Sequence, residues 1–239
     1  MNKIKGKLFL IPSVIAENTA GTVLSGQVYE VCRNTTFYLA ENIRTARRFI
    51  SSLELGISIP ELQFSLLDKK TPDAEVAALM QPLLQGKDVG VLSEAGCPGV
   101  ADPGARAVAW AHKNGVQVVP LVGPSSILLA LMASGMSGQH FAFHGYLPVK
   151  SPEKVQAIRQ LEKQAQQGQT QIFMETPYRN NQLLSDLLQH CHPASSLCVA
   201  SGVTGEGEFI RTLSVAEWKK QKVDLHKIPT IFLLGTVKN

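Results

Sequence analysis

The residues best placed to do chemistry lie between Val89 and Ser126. There the run DVGVLS (Asp88 to Ser93) feeds the segment EAGCPGVADPG (Glu94 to Gly104), and Gly123-Pro124-Ser125-Ser126 follows. In an α/β sheet the loops leaving the carboxyl ends of the strands form the ligand crevice, so a Gly/Pro-rich loop after this run stands where ligands bind. Its glycines let the backbone approach a ligand, and its prolines hold the shape beforehand and so reduce the ordering cost. The other reading is a tight connection and nothing more. It is not a phosphate loop: neither G-x-x-x-x-G-K-[ST] nor a helix-opening G-x-G-x-x-G occurs.

Four carboxylates, Glu41, Glu94, Asp102 and Glu175, sit at expected strand ends or in this loop. A carboxylate there either handles a proton or accepts backbone N–H groups. Arg44, Arg47 and Arg48 share a helix face, and Lys150, Lys154, Arg159 and Lys163 lie along a second, polar helix. Such cations either meet phosphates or solvate a surface. Cys32, Cys97, Cys191 and Cys198 form no C-x-x-C pair. They read as small buried hydrophobes, and no metal site is expected.

These groups need elements to position them. Apolar runs at Lys7 to Ile15, Thr36 to Ala40, Asp88 to Ser93 and Gln117 to Val122 read as strands. Between them, Val23 to Val31, Ile43 to Leu55, Asp73 to Leu84 and Ala105 to Asn114 read as helices. The second half repeats the rhythm, with helices over Pro124 to Ser134, Ser151 to Gln167 and Asn180 to Cys191. Its strands are expected at His140 to Tyr146, Thr170 to Glu175, Ser196 to Ala200, Glu208 to Leu213 and Thr230 to Leu234. Alternation of this kind predicts an α/β protein with two α/β domains and mixed sheets, residues 1–122 and 123–239, divided near Gly123. No apolar run approaches the ~18 residues of a membrane span and no secretory signal is evident, so a cytoplasmic protein without a membrane partner is expected. A net charge of +4 tolerates an acidic partner such as RNA without requiring one.

The string LSEAGCPGVADPG (Leu92 to Gly104) followed by Gly123-Pro124-Ser125-Ser126 resembles the tetrapyrrole methylase superfamily. Within it, the chain is most similar to the ribosomal RNA small subunit methyltransferase I family, which has S-D-A-G-T-P-G-I-S-D-P-G and then P-G-P-S-A. FHGYLP (Phe143 to Pro148), FMETPYR (Phe173 to Arg179) and AENIRTARR (Ala40 to Arg48) extend the match. The resemblance implies two α/β domains with the active site in the cleft between them, a homodimer, and S-adenosylmethionine as cofactor. It implies transfer to the ribose 2'-oxygen of a cytidine in small-subunit ribosomal RNA.

Carried over by motif, the cofactor contacts fall on Ile15, on the loop Ser93, Glu94, Ala95, Gly96, Cys97 and Val100, and on Ser125, Ser126, Met174, Ala200 and Thr230. The implied chemistry makes Glu41, Glu94 and Glu175 candidates for accepting or orienting a hydroxyl proton, and Arg44, Arg47, Arg48 and Lys150 candidates for binding RNA. The chain departs from the family at Pro12 to Asn18 (PSVIAEN for P-T-P-I-G-N-L), at Asn42 (for Asp), at Glu94 (for Asp) and at Cys97 (for Thr). Two other readings stay open: a small-molecule acceptor such as a tetrapyrrole, although the G-P-G-D-P opening is absent, and a cofactor- or RNA-binding relative without catalysis.

Overall fold

A strand buried on both faces needs apolar side chains throughout, and VGVL supplies them: all four residues of β4 are buried. The computed structural model describes residues 4–237. The chain divides into two compact units, Met1–Ser125 and Ser126–Asn239, so the division falls after Ser125, slightly beyond the boundary expected near Gly123.

The first unit runs β1 (Leu8–Ile11), α1 (Ala20–Val23), α2 (Gly26–Asn34), β2 (Phe37–Ala40), α3 (Ile43–Ser52), β3 (Gln63–Leu66), α4 (Asp73–Leu79), α5 (Gln81–Leu84), β4 (Val89–Leu92), α6 (Gly104–Lys113) and β5 (Val118–Pro120). Its sheet has the order β3-β2-β4-β1-β5, with every pairing parallel. Side chains alternate between two cores because successive residues of a strand point to opposite faces. Ile11, Tyr38, Ala40 and Leu92 pack with Val28 and Cys32 of α2 and Ala46 and Ile50 of α3. Leu8, Leu39, Val89 and Val91 pack with Val76, Met80 and Leu83 and with Ala107 and Ala111 of α6. Gly90 sits at the centre because a Cβ there would meet Ile11 Cδ1 at 2.6 Å and Tyr38 Cδ1 at 3.0 Å.

The second unit runs α7 (Ser126–Ser134), β6 (Phe141–Tyr146), α8 (Glu153–Gln166), β7 (Thr170–Met174), α9 (Asn180–His190), β8 (Ser196–Ser201), β9 (Phe209–Ser214), α10 (Val215–Trp218) and β10 (Thr230–Gly235). Here the order is β6-β7-β10-β8-β9; β6 and β7 are parallel and the remaining pairs antiparallel. Phe173 and Phe232 stack with centroids 6.1 Å apart, and buried Trp218 donates its indole N–H to Leu197 O at 2.8 Å. The α/β architecture expected from the alternation is therefore present, with mixed pairing confined to the second sheet.

Two local expectations need correction. The single helix over Asp73 to Leu84 breaks at Met80 into α4 and α5, where Pro82 has no N–H to continue the ladder. The edge strand β3 was not expected, since QFSL carries no buried residue and lacks the apolar density that marks the inner strands. Among the described residues, no helix is long and apolar enough to cross a membrane.

Candidate functional site

The carboxyl ends of β1 and β4, adjacent parallel strands, carry two loops that are stitched together. Ser13 donates its N–H to Gly96 O at 2.9 Å, and Gly96 returns the bond to Ser13 O at 3.2 Å. The buried Ser13 hydroxyl reaches Ser93 O at 3.0 Å, and Ser93 Oγ lies 3.0 Å from Gly96 O. Gly96 has φ +73°, and a Cβ there would sit 3.3 Å from Pro124 O and 4.0 Å from Ile15 Cγ1. The Cys97 thiol contacts the same Pro124 O at 3.3 Å, and burial pushes its pKa up. Gly123 lies so close to Pro12 that a Cβ would meet its ring atoms at 2.2 Å. Ile15, Ser93, Gly96 and Cys97 are thus gathered in one structure; Ser125 follows directly on Pro124, and Glu94, Ala95 and Val100 lie on the exposed side of the loop.

The loop closes on Asp102, whose Oδ1 accepts the N–H groups of Gly99 at 2.7 Å and Gly104 at 2.8 Å. Burial raises the Asp102 pKa despite these two bonds. Glu41, half-buried at the end of β2, is raised as well: burial is the main cause, and the negative charges of Asp102, Glu94 and Asp68 add to it, against Lys69. Glu94 accepts the Thr45 hydroxyl at 2.5 Å, which ties the β4 loop to the first turn of α3. Three carboxylates from two strand ends therefore share one electrostatic neighbourhood, and one of them is poised above the ordinary glutamate range.

Glu175 has a different character. Its side chain is 3% exposed, lies 2.6 Å from Arg179 and accepts the Thr176 N–H at 2.7 Å. Burial alone would raise its pKa, but the Arg179 hydrogen bond, the Thr176 N–H and the nearby Arg179 and Lys154 charges hold it below the usual range. A carboxylate so committed anchors the turn after β7.

Helix α3 is capped by Asn42, whose Oδ1 accepts the N–H of Arg44 at 3.0 Å and of Thr45 at 3.4 Å. Asparagine caps as well as aspartate, so the departure at this position keeps the helix start and removes only a charge. Arg44, Arg47 and Arg48 are all exposed; Arg47 lies over the Phe64 ring at 5.4 Å, and Arg48 lines a cavity of about 310 Å³ beside Glu94. Lys150 is exposed just before α8. Lys154 is instead ion-paired with Asp186 at 2.9 Å, with side chains 12% and 17% exposed, and so is occupied structurally.

In the second unit, the register brings three expected residues to one sheet end. Met174 and Ala200 flank Ile231 from the two neighbouring strands, and Thr230 is the next residue of β10. Ser126 opens α7, whose Ala130 and Leu131 pack on Ile231 and Leu233.

The sequence profile of the Tetrapyrrole (Corrin/Porphyrin) Methylases matches residues 44–218. The chain belongs to this family. Ribosomal RNA small subunit methyltransferase I of Vibrio cholerae is 34% identical over 170 residues, which cover 71% of this chain and 58% of that protein. The corresponding protein of Buchnera aphidicola is 24% identical over 236 residues, covering 98% of this chain and 80% of the relative. The match thus spans less than two thirds of the Vibrio cholerae relative's length. Among solved structures, the methyltransferase CobJ superposes with a TM-score of 0.65 at 16% identity, covering 97% of this chain and 94% of that one. Uroporphyrin III C-methyl transferase from Thermus thermophilus gives 0.59 at 17%, covering 97% and 98%. These structural likenesses establish the fold.

Further residues complete the site. Ser13 and Thr45 each fasten a loop, but their partners lie 80 and 49 residues away, so no local pattern marks them. Pro12 opposite Gly123 is similar: each is an ordinary turn residue until the two loops are brought into contact.

Proposed function

We propose that the chain is an S-adenosylmethionine-dependent methyltransferase that modifies the ribose 2'-oxygen of a cytidine in small-subunit ribosomal RNA. The observation that carries the reading is the Ser13–Gly96 bridge, a preshaped glycine-lined turn beside Glu41, Glu94 and Asp102 at the carboxyl edge of a parallel sheet. The names borne by the relatives supply the acceptor class.

The donor is a sulfonium cation, and three neighbouring carboxylates suit a cation. Gly96 at φ +73° exposes main chain that a side chain would otherwise cover, so the residues present fit the donor. Ile15, the loop Ser93 to Val100 and Ser125 would hold it in the first unit. The contacts assigned to Ser126, Met174, Ala200 and Thr230 rest on the family resemblance. When bound, the donor supplies a methyl group already activated for transfer.

The protein's own task is then to align the ribose hydroxyl and exclude water. Glu41 takes the hydroxyl proton onto a carboxylate oxygen, because its raised pKa makes it a stronger base than an ordinary glutamate. Arg44, Arg47 and Arg48 contact RNA phosphates, and Lys150 adds a further cation. The enzyme works in the cytoplasm on the small ribosomal subunit, as a homodimer.

Labelled donor incubated with small subunits from a strain lacking this gene is expected to mark the RNA, and replacement of the target ribose by deoxyribose to abolish the mark. Absence of transfer to any RNA sinks the proposal. Label on a tetrapyrrole precursor instead would move the activity to a small molecule.

A further inference from the structure

The turn that follows β7 and the segment that leads into β10 are tied to each other. Lys227 donates its N–H to Pro177 O at 3.0 Å. Buried Asn180 donates its side-chain amide to Ile228 O at 2.6 Å. Asn181 donates to Asp224 Oδ1 at 2.7 Å and accepts the Leu225 N–H at 2.8 Å. Loops fastened in this way hold their side chains in place before any ligand arrives, which reduces the ordering cost of binding.

What they hold is an aromatic ring that the core does not use. Tyr178 is 70% exposed. His226 meets it edge to face with centroids 6.0 Å apart, and Lys227 Nζ lies 5.9 Å from the ring centroid. Lys227 does so from φ +64°, a left-handed conformation that a lysine adopts only at a cost. Lys219, Lys220 and Lys222 are exposed on the same segment. Its one carboxylate, Asp224, is already engaged by Asn181 and by the His226 N–H at 3.0 Å.

An exposed ring among cations matches the chemistry of an unpaired nucleic acid strand, in which every base offers a face and every phosphate a charge. A duplex keeps its bases within its own stack and cannot use the ring. The position is also apt. Tyr178 stands four residues beyond Met174 of β7, and Lys227 three before Thr230 of β10. Ile231 pairs with Met174, so both loops leave from one end of the second sheet, the end whose Met174 and Thr230 are assigned to the donor. A methyl acceptor has to reach that same end.

We propose that Tyr178, His226 and Lys227 form a binding surface for unpaired RNA, in which one base stacks on the Tyr178 ring and Lys227 meets the neighbouring phosphate. That the strand bound here is the methyl acceptor rests on the methyltransferase reading; the surface itself does not.

The experiment titrates the full chain with a fluorescent mixed-sequence RNA of about a dozen nucleotides, a length within the site sizes of single-strand binders, followed by anisotropy. The same RNA annealed to its complement is the second ligand, and S-adenosylmethionine is titrated by calorimetry. Tyr178→Ala is expected to weaken the single strand about tenfold, the loss of one stacked base, and to leave the duplex unchanged. Tyr178→Phe keeps the ring and with it the wild-type affinity. Lys227→Asn removes the cation with a residue that tolerates the left-handed region. It is expected to reduce the slope of log affinity against log salt by about 0.7, the share of one phosphate on a single strand. Thermal melts show that each variant is folded.

Unaltered single-strand affinity in Tyr178→Ala overturns the proposal. So does an equal loss for the duplex, or a wild type that binds no RNA. An oligoglutamate peptide that binds as tightly as the RNA, and loses as much in Tyr178→Ala, assigns the surface to an acidic protein and overturns it too. A wild type that leaves the donor unbound while the RNA results hold counts against the methyltransferase reading alone.

Discussion

Ser13 and Gly96 exchange both of their backbone hydrogen bonds, at 2.9 and 3.2 Å, so the loops that leave β1 and β4 are joined and are not two independent connections. Everything proposed for the donor depends on that coupling, since a turn fixed in advance loses little entropy when it binds.

Gly96 is the position where the coupling is most exposed to a single change. Gly96→Val forces a β-branched residue into φ +73° and directs its side chain at Pro124 O. The expected result is a folded protein less stable by about 1–3 kcal/mol, with donor affinity abolished. Urea unfolding and calorimetry read the two effects separately, and unaltered donor affinity would show that the loop is misassigned.

Glu41 makes a prediction about pH. Its pKa is raised in the folded state, chiefly by burial and then by Asp102 and Glu94, so its charge costs stability as pH rises through that value. Glu41→Gln is therefore expected to be as stable as wild type or more so at pH 7, while transfer falls by about 10²–10⁴-fold. The wild-type rate should climb with pH through a titration above the ordinary 4.5 of glutamate. A rate profile unchanged in the variant would remove Glu41 from the chemistry.

Glu175 should behave in the opposite sense. Its pKa is lowered, so the stabilisation it brings is complete above the unfolded value of 4.5 and is lost as pH falls through the folded one. Glu175→Gln is expected to cost about 1.5–3 kcal/mol at neutral pH, the range for a hydrogen bond to a charged group. The difference between variant and wild type should shrink on acidification in denaturant melts. Transfer activity measured where both are folded should survive the substitution.

Asn42 separates helix capping from charge. Asn42→Ala is expected to lower stability by about 0.5–2 kcal/mol, since the first turn of α3 loses the acceptor of two N–H groups. Asn42→Asp keeps the cap and gains about 0.3–1 kcal/mol from the helix dipole. It also adds a negative charge beside Glu41, so the pH dependence of transfer should move further upward in that variant. Thermal melts and a rate profile test both statements.

By itself, the sequence determined the elements and the loop. The short apolar runs VGVL and FYLA, the Gly/Pro density of residues 94–104 and the match of motifs along the chain are all local, and local patterns survive without a fold. The sequence also brought forward Glu41, Glu94 and Glu175 as equals, because a carboxylate at a strand end looks the same wherever it is. Only the tertiary structure told them apart: Glu41 near Asp102 and Glu94, raised, and Glu175 bound to Arg179, lowered. The same holds for β3, an edge strand defined by its pairing with β2 and not by its own side chains, and for Thr45, whose partner is 49 residues away. A pKa and a long-range hydrogen bond are set by distances in space, and chain order does not encode those distances until the sheet has formed.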